Sequence, residues 1–262
     1  MNLDRVGFGV TGNLDLDLVR WLAPRVEEAG FQTLWFNDTA GGNSLERVAI
    51  AAQLTSRIRL GTGVIPFDRR PAADIVADLR ALGIPEDRLL LGVGSGGHRE
   101  RPIAFVREGI ATLRHLTSAR IIVGALGPQM RRLGAQVGDG ILLNWLTPET
   151  AALARDEMNA DAISAERPAP ELVTYVRTGI GEASIARVHE EAAKYSQIPG
   201  YAANFARLGI TAVDASICAT TPEEVRQGLA RYEGTVGEVV VRAITPTDAQ
   251  DEYAALIDAI VG

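Results

Sequence analysis

Short apolar runs of strand length alternate with longer segments of helical periodicity from one end of the chain to the other. Apolar residues spaced three or four apart indicate helices, and compact apolar runs indicate strands buried on both faces. Strands are predicted at residues 6–10, 33–36, 58–64, 88–93, 120–123, 141–143, 172–177 and 239–242. Helices are predicted at residues 15–29, 43–54, 72–82, 103–116, 128–136, 223–232 and 247–260, and a further helix begins at Pro148.

Local signals mark the ends of the first two helices. Gly30 ends the first helix, while Pro24 inside it predicts a kink or a restart. Asn43, followed three residues later by Glu46, predicts a capping box at the start of the second helix.

The alternation of strands and helices predicts the fold class. Parallel neighbours need a crossover connection, so eight strands separated by helices favour a parallel sheet. For 262 residues, an α/β fold of the (β/α)8 TIM-barrel type fits better than an open doubly wound sheet. Residues 181–237 are too many for one crossover and predict extra helices between strands seven and eight. A single domain over residues 1–262 is predicted, because no repeat or linker interrupts the pattern.

Composition narrows the classes of function. The net charge is −7 and no basic run is present, which argues against nucleic acid as a partner. The chain has neither a signal-peptide pattern at its start nor an apolar run of membrane-spanning length, so a cytoplasmic protein without membrane contact is expected. The single cysteine, Cys218, agrees with a reducing compartment and is interpreted as a small core residue.

Few side chains here could drive catalysis unaided. Lys194 is the only lysine and falls within a helical pattern, which leaves no well-placed amine for a Schiff base. The three histidines are far apart and lack metal-ligand spacing. An organic cofactor would supply the missing chemistry for a small-molecule substrate.

In such a barrel the active site lies at the C-terminal ends of the strands. That rule selects residues 10–11, 37–39, 63–65, 94–98, 125–130, 144–145, 177–179 and 242. Asp38 is the only carboxylate in this set, so a metal site built from several carboxylates is not expected.

Residues 124–130 (GALGPQM) stand at the passage from strand five to helix five. Gly127 lets a ligand approach the backbone closely, and Pro128 suits the first helical position. The next amides and the positive end of the helix dipole would then face outward. The segment therefore predicts a seat for a phosphate group.

Two other glycine-rich turns have both a structural and a binding interpretation. Residues 92–98 (GVGSGGH) follow strand four and form either a flexible turn or a backbone surface for a flat ring or a phosphate. Their position favours the binding interpretation. Residues 61–66 (GTGVIP) end strand three and form either a barrel corner or a bulge that a ligand approaches.

Several separated motifs occur in an order typical of one family. They are residues 34–38 (LWFND), 55–64 (TSRIRLGTGV), 88–94 (RLLLGVG), 124–130 (GALGPQM), 138–140 (GDG), 194–201 (KYSQIPGY) and 207–209 (RLG). With these motifs the chain resembles the luciferase-like monooxygenase superfamily, in its branch of oxidoreductases dependent on the deazaflavin coenzyme F420. The resemblance covers most of the chain and implies a bacterial-luciferase-like barrel that forms a homodimer.

The same resemblance implies a cofactor site. A non-proline cis peptide at Gly63-Val64 would back the cofactor ring, and the turn at residues 126–131 would hold its phosphate. The cofactor-binding residues assigned in this way are Thr62, Gly63, Val64, Gly94, Ser95, Ala125, Leu126, Gly127, Pro128, Gln129, Met130 and Arg131. Arg131 and Arg132, with Arg69 and Arg70, could meet the acidic tail of the deazaflavin, although each taken singly also fits a solvated surface.

The chain departs from the family at one catalytic position. Many members have a histidine after the strand-two aspartate, whereas Thr39 follows Asp38 here. His98 is a substitute general acid, because imidazole titrates near neutrality; the plainer interpretation is a hydrogen-bonding loop residue. Asp38, His98 and Asn144 are predicted to orient the substrate and relay a proton.

The predicted function is hydride transfer between coenzyme F420 and a small organic substrate, without a metal. One alternative is an FMN-dependent monooxygenase on the same barrel, and another is a cofactor-binding member without catalysis. A third is a sugar-phosphate enzyme with its phosphate site at residues 177–181. The scarcity of acids, histidines and lysines at the strand ends argues against this third alternative.

Overall fold

Eight parallel strands close into a barrel in the computed structural model, which describes residues 3–39, 41–98 and 100–262. The strands are β1 (Val6–Thr11), β2 (Thr33–Asn37), β3 (Arg59–Thr62), β4 (Ile65–Pro66), β5 (Leu89–Gly94), β6 (Arg120–Gly124), β7 (Gly140–Asn144), β8 (Glu171–Ile180), β9 (Ser216–Ala219) and β10 (Glu238–Ala243). The short β4 and β9 pair with β5 and β8, and the other eight form the barrel wall. β10 pairs with both β8 and β1 and so closes the wall. The predicted (β/α)8 TIM barrel is confirmed.

Helices connect the strands on the outside of the barrel. They are α1 (Leu16–Glu28), α2 (Ser44–Leu54), α3 (Ala72–Ala81), α4 (Pro102–Leu116), α5 (Pro128–Val137), α6 (Pro148–Ser164), α7 (Glu182–Ser196), α8 (Pro199–Leu208), α9 (Pro222–Ala230) and α10 (Gln250–Val261). Each buries an apolar stripe, as α4 does with Val106, Ile110 and Leu113. No helix in the described ranges has the length and apolarity to cross a membrane.

The restart predicted as one outcome of Pro24 is wrong, because α1 is one continuous helix that includes Pro24; the alternative, a kink, stays a prediction. The capping box predicted at Asn43 is also wrong. The Asn43 side chain makes no capping hydrogen bond to α2. Instead, the carboxylate of Asp38 accepts hydrogen bonds from the backbone N–H of Ser44 at 3.3 Å and from its hydroxyl at 2.6 Å.

Alternate residues of each strand face the barrel axis. The buried layer there contains Trp35, Leu90, Ile122, Leu142, Val173, Tyr175 and Val240. Gly61 leaves the space that Trp35 occupies, because a Cβ atom at Gly61 would lie 2.3 Å from Trp35 Cε3. The large Trp35 side chain therefore fills the middle of the barrel where its register partner on the neighbouring strand is glycine.

A polar network closes the N-terminal end of the barrel, at the first residues of β3, β6, β8 and β10. Arg59 contacts Glu238 at 2.8 Å and Glu171 at 2.9 Å, and Arg120 contacts Glu171 at 2.8 Å. Trp35 Nε1 donates to Glu238 at 2.8 Å. Burial raises the pKa of Glu238 to about 7, although the charge of Arg59 acts in the opposite direction.

The chain between β8 and β10 contains α7, α8, β9 and α9. α7 and α8 pack together through a small cluster that includes Trp145, Ala192 and Phe205. The aromatic side chains of this segment therefore lie against the C-terminal end of β7. That the whole chain forms one domain stays a prediction.

Candidate functional site

Arg177 occupies the centre of the C-terminal mouth of the barrel. Its side chain is 1% exposed and extends from β8 toward α7, where Nε donates to Glu191 at 2.9 Å. A second nitrogen, Nη1, donates to the side-chain oxygen of Asn144 at the end of β7. Burial acts to raise the pKa of Glu191, but the charges of Arg177 and Arg242 outweigh it and lower that pKa. Arg177 and Glu191 thus form a partly buried ion pair.

An aromatic wall covers this ion pair. The guanidinium carbon of Arg177 lies 3.8 Å from the ring centroid of Trp145 and 5.0 Å from that of Tyr195. The Tyr195 and Tyr201 rings meet edge to face at 4.7 Å. Trp145 is fully buried and has a positive φ of 58°, a conformation that costs a non-glycine residue about 1–2 kcal/mol. The packing around Trp145 must offset that cost.

The junction of β3 and β4 forms the opposite side of the mouth. The expected cis peptide is present between Gly63 and Val64. A Cβ atom at Gly63 would lie 1.9 Å from Tyr175 Oη, so the backbone there touches the tyrosine. The Val64 side chain packs against β5 and β6, where a Cβ at Gly94 or Gly124 would lie about 3 Å from its methyl carbons. The glycines thus make room for the Val64 side chain and the Tyr175 ring.

The remaining predicted residues of these turns have mainly structural contacts. Thr62 is fully buried, and its hydroxyl donates to Gly92 O at 3.0 Å and accepts from Gly92 N at 2.9 Å. The Thr62 hydroxyl therefore links β3 to β5 and does not face the mouth. Ser95 O accepts from the backbone N–H of His98 at 3.3 Å, which shapes the loop after β5.

The start of α5 has the form that the sequence predicts. Gly127 precedes the helix with no side-chain cap, and Pro128 is its first residue. The first backbone bond runs from Arg131 N to Gly127 O, so the amides of Gln129 and Met130 precede the hydrogen-bonded turns. A Cβ atom at Gly127 would meet nothing within 4 Å. The helix N-terminus is therefore sterically open.

The flanking segment and the next arginine differ in exposure. Ala125 is buried, its N–H donates to Leu142 O at 3.0 Å, and Leu126 approaches Gly200 of α8. Arg131 is 3% exposed, and its nearest carboxylate oxygen, on Glu157, is 3.7 Å away.

Arg131 faces a second arginine from α8. Burial and the charge of Arg207 lower the pKa of Arg131 to about 10. In the described part of the chain, Arg131 Nε has no hydrogen-bond partner, and neither does the amide nitrogen of the buried Asn204. Arg207 donates to the Asn204 side-chain oxygen at 2.7 Å. These groups supply positive charge and free donors behind the start of α5.

The other three arginines suggested by the sequence for the acidic tail of the deazaflavin are paired with groups of the protein. Arg69 contacts the Asp38 carboxylate at 2.8 Å and donates to its backbone oxygen at 3.0 Å. Arg70 donates to Asn43 at 3.2 Å. Arg132 pairs with Asp161 at 3.0 Å.

The three predicted catalytic residues have separate surroundings. Asp38 is held by Ser44 and Arg69, as described above, and its side chain is 5% exposed. The His98 ring stacks on Phe105 with centroids 4.0 Å apart. Asn144 is bound to Arg177. No hydrogen bond joins the three to one another among the residues that the structure describes.

Five buried polar atoms near the strand ends have no hydrogen-bond partner in the described ranges. They are Asn37 Oδ1, Thr39 Oγ1, Trp145 Nε1, Tyr175 Oη and Arg242 Nε. Buried polar atoms are nearly always paired, so this set fits a mouth whose polar contacts are completed by a bound molecule. Burial raises the pKa of Tyr175 above its ordinary value, so its hydroxyl stays protonated.

Sequence reasoning placed residues 145, 177 and 242 at the mouth but assigned only Arg177 a role, as part of an alternative phosphate site. It gave no role to Tyr175, Glu191, Tyr195 or Tyr201. One signal was available: Tyr175 and Arg177 lie two apart on a strand, so both face the barrel axis. The helical residues lack such a signal, since their contacts depend on how α7 and α8 fold back.

Comparison with known proteins finds similarity to one family over part of the chain. Residues 4–114 match the family described as luciferase-like monooxygenase. A 5,10-methylenetetrahydromethanopterin reductase of Archaeoglobus fulgidus is 27% identical over 191 residues, which cover 59% of this chain and 58% of that protein. The chain thus spans little more than half the length of this relative.

Two solved structures share the fold. The coenzyme F420-dependent tetrahydromethanopterin reductase from Methanopyrus kandleri superposes with a TM-score of 0.74 at 15% identity, covering 97% of both chains. The oxygenating constituent of 3,6-diketocamphane monooxygenase from Pseudomonas putida, in complex with FMN, has a TM-score of 0.70 at 14% identity, covering 98% of this chain and 96% of that one. Over residues 4–114 the chain is thus similar to luciferase-like monooxygenases, and it is related in sequence to the reductase of Archaeoglobus fulgidus.

Proposed function

We propose that this protein is an oxidoreductase that binds coenzyme F420 at the C-terminal mouth of its barrel and transfers hydride to or from a small organic substrate. The observation that carries the proposal is the open N-terminus of α5, backed by the buried and incompletely paired Arg131. A phosphate seated there would accept from the amides of Gln129 and Met130. The assignment of Gly127, Pro128, Gln129 and Met130 to the cofactor rests on this arrangement.

The residues at the mouth also fit a flat ring with polar edges. The Val64 side chain, packed against Gly94 and Gly124, and the Gly63 backbone beside Tyr175 would form the surface against which a planar group lies. The unpaired Asn37 Oδ1 and Tyr175 Oη supply one acceptor and one donor nearby. When bound, F420 supplies a ring carbon that accepts or releases a hydride.

The chain's own groups would orient substrate and hold protons. Asn144 is fixed by Arg177, and Arg177 by Glu191, so the amide nitrogen of Asn144 is a positioned donor. Tyr175 remains protonated and can donate but not act as a base near neutrality. Asp38 is held by Arg69 and Ser44 and orients its loop. His98 is proposed as the proton donor, because a histidine side chain is the commonest general acid in enzymes.

Substitution of Gly127 tests the phosphate assignment. Gly127→Ala adds a Cβ atom with no neighbour within 4 Å and should bind F420 as the unaltered protein does. Gly127→Asp places a carboxylate beside the phosphate and should weaken binding by at least about tenfold, or 1.4 kcal/mol. Gly127→Asn, of the same shape without the charge, should lie between. Binding is measured by titration followed by F420 fluorescence, and undiminished affinity in Gly127→Asp overturns the assignment.

FMN is the second candidate cofactor, since a protein of the same fold is known in complex with FMN. Oxygen uptake with reduced FMN and no turnover with F420 would select the monooxygenase. Tight cofactor binding without turnover would select a non-catalytic member. A cytoplasmic location and a homodimeric assembly belong to the same proposal, and light scattering on the purified protein tests the dimer.

A further inference from the structure

A cavity of about 290 Å³ lies between α7 and the C-terminal ends of β1 and β10. Its inner wall contains Thr11 and Arg242, and its outer wall contains Glu190 and Lys194 of α7. The volume is at the lower end of the range for small-molecule pockets. The proposed ring and phosphate contacts belong to β3 and α5, so the cavity is on a different side of the mouth.

The cavity lining carries three positive side chains, Arg187, Lys194 and Arg242, and three negative ones, Glu190, Glu191 and Asp248. Arg242 and Arg177 are register partners on β10 and β8, and Glu191 is the acid whose pKa both of them lower. Glu191 hydrogen-bonds to Arg177, which leaves Arg242 without a carboxylate of its own in the described part of the chain. Another acid of the cavity, Asp248, pairs with Arg187 at 3.4 Å.

Arg242 also has an unused donor. Its Nη1 donates to the neighbouring backbone oxygen of Ala243, whereas its buried Nε has no partner among the described residues. A buried charged donor without an acceptor is costly, and a carboxylate oxygen is the acceptor that pairs best with a guanidinium group. At the rim, Lys194 is exposed beside Glu190, so the two rim charges cancel.

We propose, building on the proposed function, that this cavity binds the substrate and that the substrate is a small organic monocarboxylate. Arg242 receives the carboxylate at Nε, and Lys194 assists at the rim. Arg242 is a single inner-wall cation with an unpaired donor, which one carboxylate completes, whereas a phosphate monoester would bring close to two negative charges into a lining that already holds three acidic side chains. The carboxylate is an anchor and takes no part in the bond changes.

Ligand binding to the purified full chain tests this inference without turnover. The probes are butanoate, 4-methylpentanoate and benzoate, each beside its primary amide, with inorganic phosphate as a further anion. Binding is measured by ligand-observed NMR and calorimetry, with and without F420. We expect each carboxylate to bind at least tenfold more tightly than its amide. Equal affinities, or tighter binding of phosphate, would overturn the assignment of the substrate class.

Variants locate the site. Arg242→Met should weaken carboxylate binding at least tenfold, Arg242→Lys should recover part of it, and Lys194→Met should cost about two- to threefold. The control is Arg231→Met, which removes an exposed arginine paired with Glu149 and should change nothing. Unchanged binding in a folded Arg242→Met protein overturns the inference. F420 titration of the same variants separates the two proposals. F420 binding is assigned to the turn at Gly127, so the Arg242 and Lys194 variants should bind F420 as the unaltered protein does.

Discussion

The Glu238→Gln substitution should remove a pH dependence of stability that arises from the Glu238 carboxyl group, in the polar network at the N-terminal ends of the barrel strands. Glu238 is fully buried, and burial raises the pKa of its carboxyl group from 4.5 to about 7. Since a tenfold change in proton affinity is worth about 1.4 kcal/mol, this rise corresponds to about 3 kcal/mol. Glutamine has a similar shape and keeps an oxygen for the Trp35 donor, but it cannot ionise.

The direction of the effect follows from which state holds the proton. Below pH 4.5 both the folded and the unfolded chain carry it, and the contribution to stability is fully present. Between pH 4.5 and about 7 the unfolded chain releases the proton while the folded chain retains it, so stability falls as pH rises. Above about pH 7 the contribution is lost.

Urea unfolding of both proteins from pH 5 to pH 8 measures this difference. Over that range the unaltered protein should lose about 2–3 kcal/mol of unfolding free energy relative to Glu238→Gln. Glu233→Gln, which changes an exposed glutamate, is the matched control and should run parallel to the unaltered protein. If the unaltered protein instead gains stability over Glu238→Gln as pH rises, the carboxylate is ionised at neutrality and its pair with Arg59 is net stabilising.

Two further substitutions test the walls of the mouth. Gly63→Ala would bring a Cβ atom to 1.9 Å from Tyr175 Oη, so it should lower the unfolding free energy by about 1–3 kcal/mol and weaken F420 binding. Gly127→Ala should change neither quantity. Equal melting temperatures for the two variants would contradict the contact. Arg177→Met would leave the carboxylate of Glu191 without its donor and should lower the unfolding free energy by about 3 kcal/mol. Unchanged urea unfolding of that variant would show that the ion pair contributes nothing.

The barrel could be predicted from sequence because its causes are local. The apolar periods predict the eight strands of the barrel wall and most of the helices, and the number of strands with the chain length selects a closed sheet. The start of α5 is equally local, since Gly127 and Pro128 act on the backbone where they stand. The rule that sites lie at the C-terminal strand ends then placed Trp145, Arg177 and Arg242 at the mouth.

The interactions of the candidate site depended on tertiary structure. The Asp38 carboxylate is taken up by Arg69, which is 31 residues away, and it caps α2 in place of Asn43. Arg131 points into a buried environment because α6 and α8 cover it. The partners of Arg177 come from β7 and α7, and the pairing of β10 with β1 joins the two ends of the chain. Apolar periodicity specifies which face of an element is buried, but which charged groups meet there depends on chain segments that fold back from far along the sequence.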